Sequence, residues 1–410
     1  MKEKQKIGVI SLGCSKNRVD SEVMMGYLTR AGYEITNDPK AADILIVSTC
    51  GFIESAKQES INTILEMAAY KTAGVCQKLV VTGCLSERYR KELPSELPEV
   101  DLWLGVREYE KLPALLKGTG GAAPAYPWGQ RVLSTPAHYA YLRIADGCDN
   151  RCAYCAIPGI RGNYASRPVE ELAEEAEALA ERGVKELYVI AQDTTRYGFD
   201  RYGKAMLPEL LQRLNAIPGL VWIRLLYAYP DTLTPQVLDT MAECEKVVKY
   251  IDLPLQHADD GVLRSMNRRG NAAHYAALID ELRRRDPAYV LRTTYMVGFP
   301  TETEERFEAL CRFAQEHPFD RVGVFTYSPE EGTPAEPLGD PVPQEEKERR
   351  AAKLMRLQQK ISLAFHQARV GKTYDVLVDG ADERSGLLIG RTYGEAAEID
   401  GVVAFVPNTQ

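Results

Sequence analysis

Short apolar runs alternate with amphipathic stretches of helical periodicity along the N-terminal part of the chain. The strand-like runs lie at 6–11, 43–48 and 78–82, and the helical stretches lie at 21–31 and 54–70. Apolar runs of this length, rich in valine and isoleucine, are typical of strands that are buried on both faces. Because strands that alternate with helices form parallel sheets covered by helices, we predict an open parallel α/β domain over residues 1–118.

A second, longer alternation of strands and helices follows. Its predicted strands lie at 141–144, 187–190, 222–226, 250–253, 291–296 and 322–327, and the helical stretches between them include 169–182, 235–243, 274–285 and 304–316. Six such units are fewer than the eight of a closed barrel, so we predict a partial parallel barrel over residues 137–367. A segment rich in Gly, Ala and Pro precedes the barrel, and we interpret residues 119–136 as a linker.

The C-terminal part of the chain changes pattern again. A charged helix is predicted at 344–369, and short strand-like runs separated by Gly and Asp turns follow at 373–378, 386–391 and 401–406. This pattern is typical of a small antiparallel β domain, which we place at residues 368–410. About forty residues are few for a complete barrel of this kind, so we expect an incomplete one. The predicted fold class is therefore α/β, with a small antiparallel β domain at the end.

Composition and charge narrow the possible functions. The chain of 410 residues is 45% hydrophobic and 26% charged, with a formal net charge of -8 and a pI near 5.5. A net acidic chain lacks the overall positive charge that broad nucleic-acid binders have. An acidic surface suits a basic protein partner better than it suits a nucleic acid. No apolar run approaches the roughly 20 residues of a membrane span. Nine cysteines, an odd number without a secretion signal, favour a reducing compartment, the cytoplasm.

Three cysteines on one short stretch give the strongest chemical signal in the chain. Cys148, Cys152 and Cys155 have the spacing C-x3-C-x2-C, and no fourth cysteine or nearby histidine completes the set. A structural zinc site requires four ligands, usually in two separated pairs. Three thiolates can instead hold three irons of a cubane iron–sulfur cluster and leave the fourth iron open. Because an open iron can bind a cofactor or a substrate, we predict chemistry here rather than electron transfer alone.

Three further cysteines stand at equivalent places in the N-terminal domain. Cys14, Cys50 and Cys84 each follow the end of a predicted strand, and each lies next to a glycine. Ligands of open α/β sheets bind at the carboxyl edge of the strands, so we expect these thiols to converge on one rim. The alternative is that each is a small buried residue, as free cysteines often are. We assign that plainer role to the cysteines in or beside helical patterns: Cys76, Cys244 and Cys311.

The cysteine loop, with an aromatic residue before its last cysteine, resembles the radical S-adenosylmethionine superfamily. The resemblance implies a 4Fe–4S cluster whose open iron chelates the methionine moiety of S-adenosylmethionine. It also implies a carbon radical formed by reductive cleavage of the sulfonium bond, chemistry that no side chain supplies. Candidate contacts to S-adenosylmethionine are Tyr154, Gln192, Asp193 and Gly298. We interpret His257 as a residue that satisfies a turn, and we assign no catalytic side chain beyond the cysteines.

With the N-terminal cysteines included, the chain resembles the methylthiotransferases within that superfamily. The motifs that carry the likeness lie at 11–17, 48–53, 81–85, 162–168, 254–258, 298–303 and 327–333. The likeness implies a second 4Fe–4S cluster, held by Cys14, Cys50 and Cys84. It further implies two uses of S-adenosylmethionine, one as the source of a methyl group for sulfur and one as the source of the radical at the substrate carbon. An external electron donor is expected as well.

The family has two branches, which modify an adenosine of tRNA or an aspartate side chain of small-subunit ribosomal protein twelve. The runs at 50–53, 58–60, 191–194 and 256–258 resemble the ribosomal-protein branch, although Ser15 stands where a proline is common. The tail resembles a TRAM domain, and from Arg369 onward acids outnumber bases. This charge fits a basic ribosomal protein better than RNA, so direct RNA contact is not predicted. The alternatives are the tRNA enzyme, a non-catalytic iron–sulfur carrier or sensor, and a zinc-binding module.

Overall fold

The computed structural model describes residues 4–119 and 128–406. Within these residues the chain forms two parallel sheets, one small antiparallel sheet and one two-stranded ribbon. Residues 120–127 of the predicted linker lie outside the described residues. None of the helices in the described ranges has the length and apolar character that a bilayer span requires.

The N-terminal sheet contains β1 (Lys6–Ser11), β2 (Glu34–Thr36), β3 (Ile44–Thr49), β4 (Lys78–Gly83) and β5 (Leu102–Trp103). All neighbouring strands are parallel, in the order β2-β1-β3-β4-β5. The helices of this domain are α1 (Ser15–Arg30), α2 (Glu54–Ala68), α3 (Tyr70–Ala73), α4 (Cys84–Arg88), α5 (Leu93–Glu96) and α6 (Leu112–Leu116). The three predicted strands are confirmed, and two short edge strands, β2 and β5, extend the sheet.

The central strand β3 shows why this sheet forms. All of its residues are buried, because helices cover both faces of the parallel sheet. Leu45 and Val47 belong to the apolar cluster on one face, and Ile44 and Ile46 belong to the cluster on the other face. This burial on both faces fixes β3 in the middle of the sheet. Cys50, which directly follows β3, therefore lies at the carboxyl edge of the sheet.

The second parallel sheet is an open barrel. It begins with β6 (Tyr139–Arg143), which is followed by an antiparallel ribbon of β7 (Ala145–Asp146) and β8 (Ala165–Ser166). The remaining barrel strands are β9 (Glu186–Ile190), β10 (Trp222–Leu225), β11 (Val247–Asp252), β12 (Val290–Val297) and β13 (Arg321–Thr326). All neighbours are parallel and follow the chain order β6-β9-β10-β11-β12-β13, with β6 and β13 at the two edges. The predicted partial barrel of six strands is confirmed.

Helices follow the barrel strands along the chain. They are α7 (Ile157–Arg161), α8 (Val169–Glu181), α9 (Phe199–Tyr202), α10 (Leu207–Ala216), α11 (Pro235–Glu243), α12 (Asp260–Ser265), α13 (Ala272–Arg285), α14 (Glu304–Glu316) and α15 (Gln344–Gln367). The sequence prediction includes α8, α11, α13, α14 and α15 to within a few residues. It does not include α10, an amphipathic helix whose leucines are buried in the barrel core.

The described part of the predicted linker is folded against both domains. Trp128–Gln130 forms a short 3-10 turn, and the Arg131 side chain that follows is fully buried. Its guanidinium pairs with Glu22 of α1, Nε to Oε2 at 2.9 Å, and with Glu175 of α8. One side chain thus fastens the N-terminal domain to the barrel.

The C-terminal residues form a small antiparallel sheet, as predicted for the tail. Its strands are β14 (Leu377–Ala381), β15 (Leu388–Arg391) and β16 (Val403–Phe405). Arg391 pairs with Glu186, the first residue of β9. The Glu398 carboxylate accepts a hydrogen bond from the hydroxyl of Tyr139, the first residue of β6, at 3.2 Å. The tail therefore docks at the amino end of the barrel, away from the carboxyl ends of the strands where barrel active sites lie.

Candidate active site at the facing sheet edges

The cysteine loop leaves the barrel at the carboxyl end of β6, directly after β7. Cys152 is buried, and Cys148 and Cys155 are half-buried. Burial raises the pKa of the Cys148 thiol to about 11 and that of Cys155 to about 12, and the neighbouring thiols add to both effects. The loop thus gathers the three thiols of the C-x3-C-x2-C motif at the mouth of the barrel.

Asp193, at the end of β9, supports this loop. Its carboxylate accepts hydrogen bonds from Asn150 Nδ2 at 2.8 Å and from Thr195 Oγ1 at 2.7 Å, and the whole residue is buried. Tyr164 donates a hydrogen bond to its carbonyl oxygen at 2.8 Å. Burial raises the pKa of the Asp193 carboxyl group. Because its carboxylate accepts hydrogen bonds from both Asn150 and Thr195, Asp193 positions the cysteine loop. Its direct contact with S-adenosylmethionine stays a prediction.

A buried arginine also contacts the loop. Arg268 is 7% exposed; its Nη1 lies 3.8 Å from Cys152 Sγ, and its Nη2 donates to the carbonyl oxygen of Pro254 at 2.8 Å. The guanidinium lies over Tyr229, 4.1 Å from the ring centroid, and Nε has no partner among the described residues. A buried cation that lacks a counter-charge is unfavourable. The thiolates of a metal-loaded loop would supply that counter-charge.

The N-terminal cysteines follow three adjacent strands of the first sheet. Cys14, Cys50 and Cys84 come after β1, β3 and β4, whose carboxyl ends lie side by side. Gly13 makes room for this approach: its φ is +89°, and a Cβ on it would lie 2.9 Å from Cβ of Cys50. The three thiols therefore lie at one rim, as the strand ends predict.

Asn17 connects the loops that carry this group of cysteines. Its Nδ2 donates to the carbonyl oxygens of Leu12 at 3.1 Å and Thr49 at 2.8 Å, and its Oδ1 accepts from Cys84 Sγ at 3.4 Å. Asn17 is 1% exposed. It belongs to the motif at 11–17, but the sequence gives no local sign that its amide bridges separate strand ends.

The thiols of the N-terminal group differ in their electrostatic surroundings. Burial raises the pKa of Cys50 and of Cys84, the latter to about 12. Desolvation also acts to raise the pKa of Cys14, but the charges of Lys16 and Arg161 outweigh it, so the pKa of that thiol is lowered. Thiols release their protons when they bind a metal. The positive charges of this region therefore favour the deprotonated, metal-binding form of Cys14.

Arg161 connects the two groups of cysteines. It is the last residue of α7, the helix that follows the cysteine loop, and it is 2% exposed. Its Nη2 donates to Asn17 Oδ1 at 2.6 Å and to Asp20 Oδ2 at 2.9 Å, and its Nη1 donates to Asp146 Oδ1 at 3.0 Å. A single guanidinium thus contacts the residue that organises the N-terminal group and the strand that leads into the cysteine loop.

The two groups of cysteines face each other across the domain boundary. Cys84 packs with Ala156 and Ile160, which lie directly after the cysteine loop. A cavity of about 530 Å³ opens beside this contact. Residues of both domains line it, among them Arg88, Tyr89, Cys152, Cys155, Ile160 and Glu331. Two residues of the cysteine loop, Cys152 and Cys155, are therefore part of the cavity wall.

The cysteine loop offers three thiols, one fewer than a closed structural zinc site requires. Within residues 4–119 and 128–406, no group of three Cys, His, Asp or Glu side chains is arranged to hold one ion. A zinc site would require its ligands about 2.0–2.3 Å from a common centre. A cubane cluster instead binds each thiolate through a different iron, so three thiols on one loop fit a cluster better than they fit zinc.

The other predicted cofactor contacts lie at separate places around the barrel. Gln192 follows β9; its Nε2 lies 3.4 Å from Asp146 Oδ1, and its buried Oε1 has no partner among the described residues. Gly298 follows β12 with a φ of +76°, and a Cβ there would lie 2.3 Å from Cγ of Lys347. Tyr154 packs against an apolar cluster beside the cysteine loop. Gln192 thus keeps an acceptor for a ligand, whereas Gly298 allows α15 to approach closely.

The residues that were assigned plainer roles behave as expected. The Nδ1 of His257 accepts a hydrogen bond from the amide of Asp259 at 2.9 Å, which satisfies the turn, and its Nε2 lies 3.2 Å from Glu302 Oε1. His257 is fully buried. The three cysteines interpreted as packing residues are buried in apolar clusters: Cys76, Cys244 and Cys311.

Family profiles match three parts of the chain. Residues 6–105 match the profile described as "Uncharacterized protein family UPF0004", residues 142–314 match the radical SAM superfamily, and residues 370–410 match the TRAM domain. These stretches correspond to the N-terminal sheet, the open barrel and the small antiparallel sheet.

Solved structures share the fold. TsrM, a radical S-adenosylmethionine methyltransferase from Kitasatospora setae, superposes with a TM-score of 0.60 at 14% identity, covering 82% of this chain and 74% of that one. OxsB, a cobalamin-dependent S-adenosylmethionine radical enzyme, gives a TM-score of 0.56 at 11% identity, covering 94% of this chain and 64% of that one. Identities this low show a common fold only.

Curated relatives match almost the whole chain, and each is described as a ribosomal protein uS12 methylthiotransferase RimO. The protein of Heliobacterium modesticaldum is 51% identical, over 98% of this chain and 89% of its own length. That of Pelotomaculum thermopropionicum is 50% identical over 98% and 93%, and that of Clostridium tetani is 49% identical over 98% and 92%. The chain therefore belongs to the RimO family of radical S-adenosylmethionine methylthiotransferases.

Proposed function

We propose that this chain transfers a methylthio group to the β-carbon of an aspartate in ribosomal protein uS12. The observation that carries the proposal is the contact of Cys84 with Ala156 and Ile160. This contact brings the two groups of three cysteines, here called triads, face to face. Sulfur insertion requires a sulfur source and a radical source within reach of one substrate carbon. The names of the curated relatives support uS12 as the substrate.

Each triad is proposed to hold one 4Fe–4S cluster. Cys148, Cys152 and Cys155 would hold the cluster that binds S-adenosylmethionine at its open iron, and the second cluster would be held by Cys14, Cys50 and Cys84. When bound and reduced, these cofactors supply a carbon radical at the substrate and a methylated sulfur for insertion. Their electrons come from an external donor, and the many free thiols suit work in the reducing cytoplasm.

The chain's own residues position and shield these groups. Asp193 holds the cysteine loop through Asn150, and Arg268 places a positive charge beside the loop thiols. Gln192 keeps a free acceptor oxygen at a strand end, which suits the amino group of S-adenosylmethionine. Tyr154 and its apolar neighbours exclude water from the loop. These roles divide the predicted contacts into one that faces a ligand and others that position the site.

The tail supports a protein substrate rather than RNA. RNA binding requires free cations that neutralise phosphates. Two cations of the tail are already paired within the fold: Arg391 with Glu186 and Asp379, and Arg369 with Glu395. The acidic excess that remains suits a basic ribosomal protein.

The test compares the methylthio content of uS12 and of tRNA in cells that lack this chain. Mass spectrometry should show that uS12 loses its methylthio-aspartate while the tRNA adenosines keep their modification. The natural chain should restore the uS12 modification, and Cys148→Ala should not. Cys244→Ala, at a buried cysteine of the barrel core, is the matched control and should restore it. Loss of methylthio from tRNA with uS12 unchanged would refute the proposal in favour of the tRNA branch.

A further inference from the structure

Lys16 is a buried cation without an acidic partner. It lies in the first turn of α1, two positions after Cys14, and is 7% exposed. Its Nζ lies 3.1 Å from the centroid of the Tyr227 ring, and it forms no ion pair with any described carboxylate. Burial of an ammonium group without a counter-charge is unfavourable, and a contact with an aromatic ring offsets the desolvation only in part. Lys16 is therefore ready to receive an anionic group.

Tyr227 places this ammonium group at the mouth of the barrel. Tyr227 follows β10 closely, with a φ of 59°. Its amide donates to Asp252 Oδ2 at 3.1 Å, and its carbonyl oxygen accepts from the amide of Thr194 at 3.1 Å. A non-glycine residue keeps a positive φ only where its surroundings hold it there. The ring beneath Lys16 is thus fixed between the carboxyl ends of β9 and β11, the neighbours of β10.

The other buried cations around the mouth already have negative partners. Both Arg143 and Arg161 pair with Asp20. Arg268 lies against the thiol of Cys152, a proposed cluster ligand that would be its negative partner in the loaded protein. The charge of Lys16 acts on the Cys14 thiol. Its ammonium group forms no ion pair or hydrogen bond with any described residue, and its close contact is with the Tyr227 ring.

We propose that Lys16 binds the side-chain carboxylate of the aspartate that is modified, an inference that rests on the proposed function. The helix of Lys16 begins beside Cys14, while its ammonium group lies at the barrel mouth, so the residue spans the two sites. The substrate carbon has to reach both sites, and the carboxylate of an aspartate is one bond away from its β-carbon. The methionine carboxylate of S-adenosylmethionine, by contrast, is expected to have the open iron as its partner.

This contact selects an acidic side chain over a nucleobase. An adenine carries no negative charge, and its presence at this place would leave the Lys16 ammonium group buried and unpaired. Sites reject an analogue more strongly through an unpaired buried polar group than through shape alone. Lys16 is thus a specificity-determining residue, distinct in role from the neighbouring cysteine ligand.

The test is a double-mutant cycle on substrate binding by the full chain, loaded with both clusters, with S-adenosylmethionine present and no reductant. Lys16→Met should weaken the binding of uS12 about tenfold or more. It should not change the binding of a uS12 variant with Asn at the modified position. Lys16→Arg retains the charge and should keep most of the affinity. Lys40→Met, at an exposed lysine near the amino end of β3, is the matched control and should bind uS12 normally.

Two results would contradict the proposed role of Lys16, and they can be told apart. Equal weakening of the Asp and Asn forms of uS12 would show that Lys16 does not contact the carboxylate. A lower affinity for S-adenosylmethionine or a lower iron content in Lys16→Met, with uS12 binding unchanged, would assign the ammonium group to a cofactor and overturn the proposal. Both outcomes leave methylthiolation by the natural chain intact. If the natural chain neither binds nor modifies uS12, the proposed function fails, and the role of Lys16 fails with it.

Discussion

The Arg161 guanidinium donates a hydrogen bond to the Asp20 carboxylate across the boundary between the barrel and the N-terminal domain, at 2.9 Å. Arg143 of β6 donates to the other oxygen of the same carboxylate. Removal of one partner from a buried ion pair leaves an uncompensated charge, which destabilises more than the intact pair stabilises. The boundary between the two cysteine triads is therefore held by buried charges as well as by apolar contacts.

We expect Arg161→Met to lower the free energy of unfolding of the metal-free protein by about 3–5 kcal/mol. The reason is that Asp20 and Asp146 lose a buried partner. Urea denaturation measures the change, and the double variant with Asp20→Asn should lose less than the sum of the two single variants. Arg213→Met is the control, because that side chain is 46% exposed and should contribute less than about 0.5 kcal/mol. Equal losses in Arg161→Met and Arg213→Met would contradict the prediction.

Asp146 should make this boundary sensitive to acid. Desolvation acts to raise its pKa, but Arg143 and Arg161 outweigh it and lower the pKa from 3.8 to about 2. A carboxyl group with a lowered folded-state pKa stabilises the fold above its unfolded pKa, and this stabilisation is lost as the pH falls through the folded pKa. We expect ionised Asp146 to contribute about 2 kcal/mol to the free energy of unfolding at neutral pH. This contribution should be lost between about pH 4 and pH 2.

Urea denaturation of the natural chain and of Asp146→Asn, from neutral pH down to about pH 3, checks this prediction. The difference in unfolding free energy between the two proteins should shrink as the pH falls. A difference that stays constant over this range would show that Asp146 does not titrate with the predicted pKa.

The two triads should bind iron independently. After anaerobic reconstitution, Cys148→Ala and Cys50→Ala should each keep about half of the iron and sulfide of the natural chain. Cys50→Ala should still cleave S-adenosylmethionine reductively, whereas Cys148→Ala should not. Cys244→Ala, a buried cysteine outside both triads, should keep all of the iron. Loss of all iron from either ligand variant would mean that the triads form one shared site.

Arg268 should matter more to the loaded site than to the fold. Arg268→Met removes a buried charge that has no carboxylate partner, so the stability of the metal-free protein should change by about 1 kcal/mol or less. Because the charge beside Cys152 is lost, iron bound by the cysteine loop should be released to a chelator at an about 10- to 100-fold lower chelator concentration. Arg269→Met, at the exposed next residue, is the control and should release iron normally. Strong destabilisation with unchanged iron retention would contradict this role.

Both cysteine triads can be predicted from the sequence, because both depend on local sequence patterns. Cys14, Cys50 and Cys84 follow apolar runs that mark strands, and parallel strands bring their carboxyl ends to one edge. The contact of Arg161 with Asn17 cannot be predicted in this way, because the two residues are 144 positions apart along the chain and no sequence periodicity connects them. Asp193 shows the same limit. Its place at a strand end suggests a cofactor contact, which stays a prediction, whereas its hydrogen bonds to Asn150 and Thr195 become visible only in the folded chain.

In the fold, too, elements with a local sequence pattern are predicted, and elements that depend on the assembled sheet are not. The six barrel strands are predicted because each contains a run of at least four residues rich in apolar and aromatic side chains, and helical stretches separate them. The edge strands β2 and β5 have three and two residues, too few for any periodicity to emerge. They are strands because β1 and β4 offer free backbone groups for pairing, which is a property of the assembled sheet.

Arg131 also limits how the enzyme can move. Its fully buried guanidinium is tied to Glu22 in one domain and to Glu175 in the other. A hinge rotation that opened the boundary would have to break at least one of these buried pairs, whereas hinges normally bend at a few residues that are free to change their backbone angles. We therefore expect the boundary to stay closed during turnover. On the proposed function, the substrate segment would then enter through the cavity of about 530 Å³ that residues of both domains line.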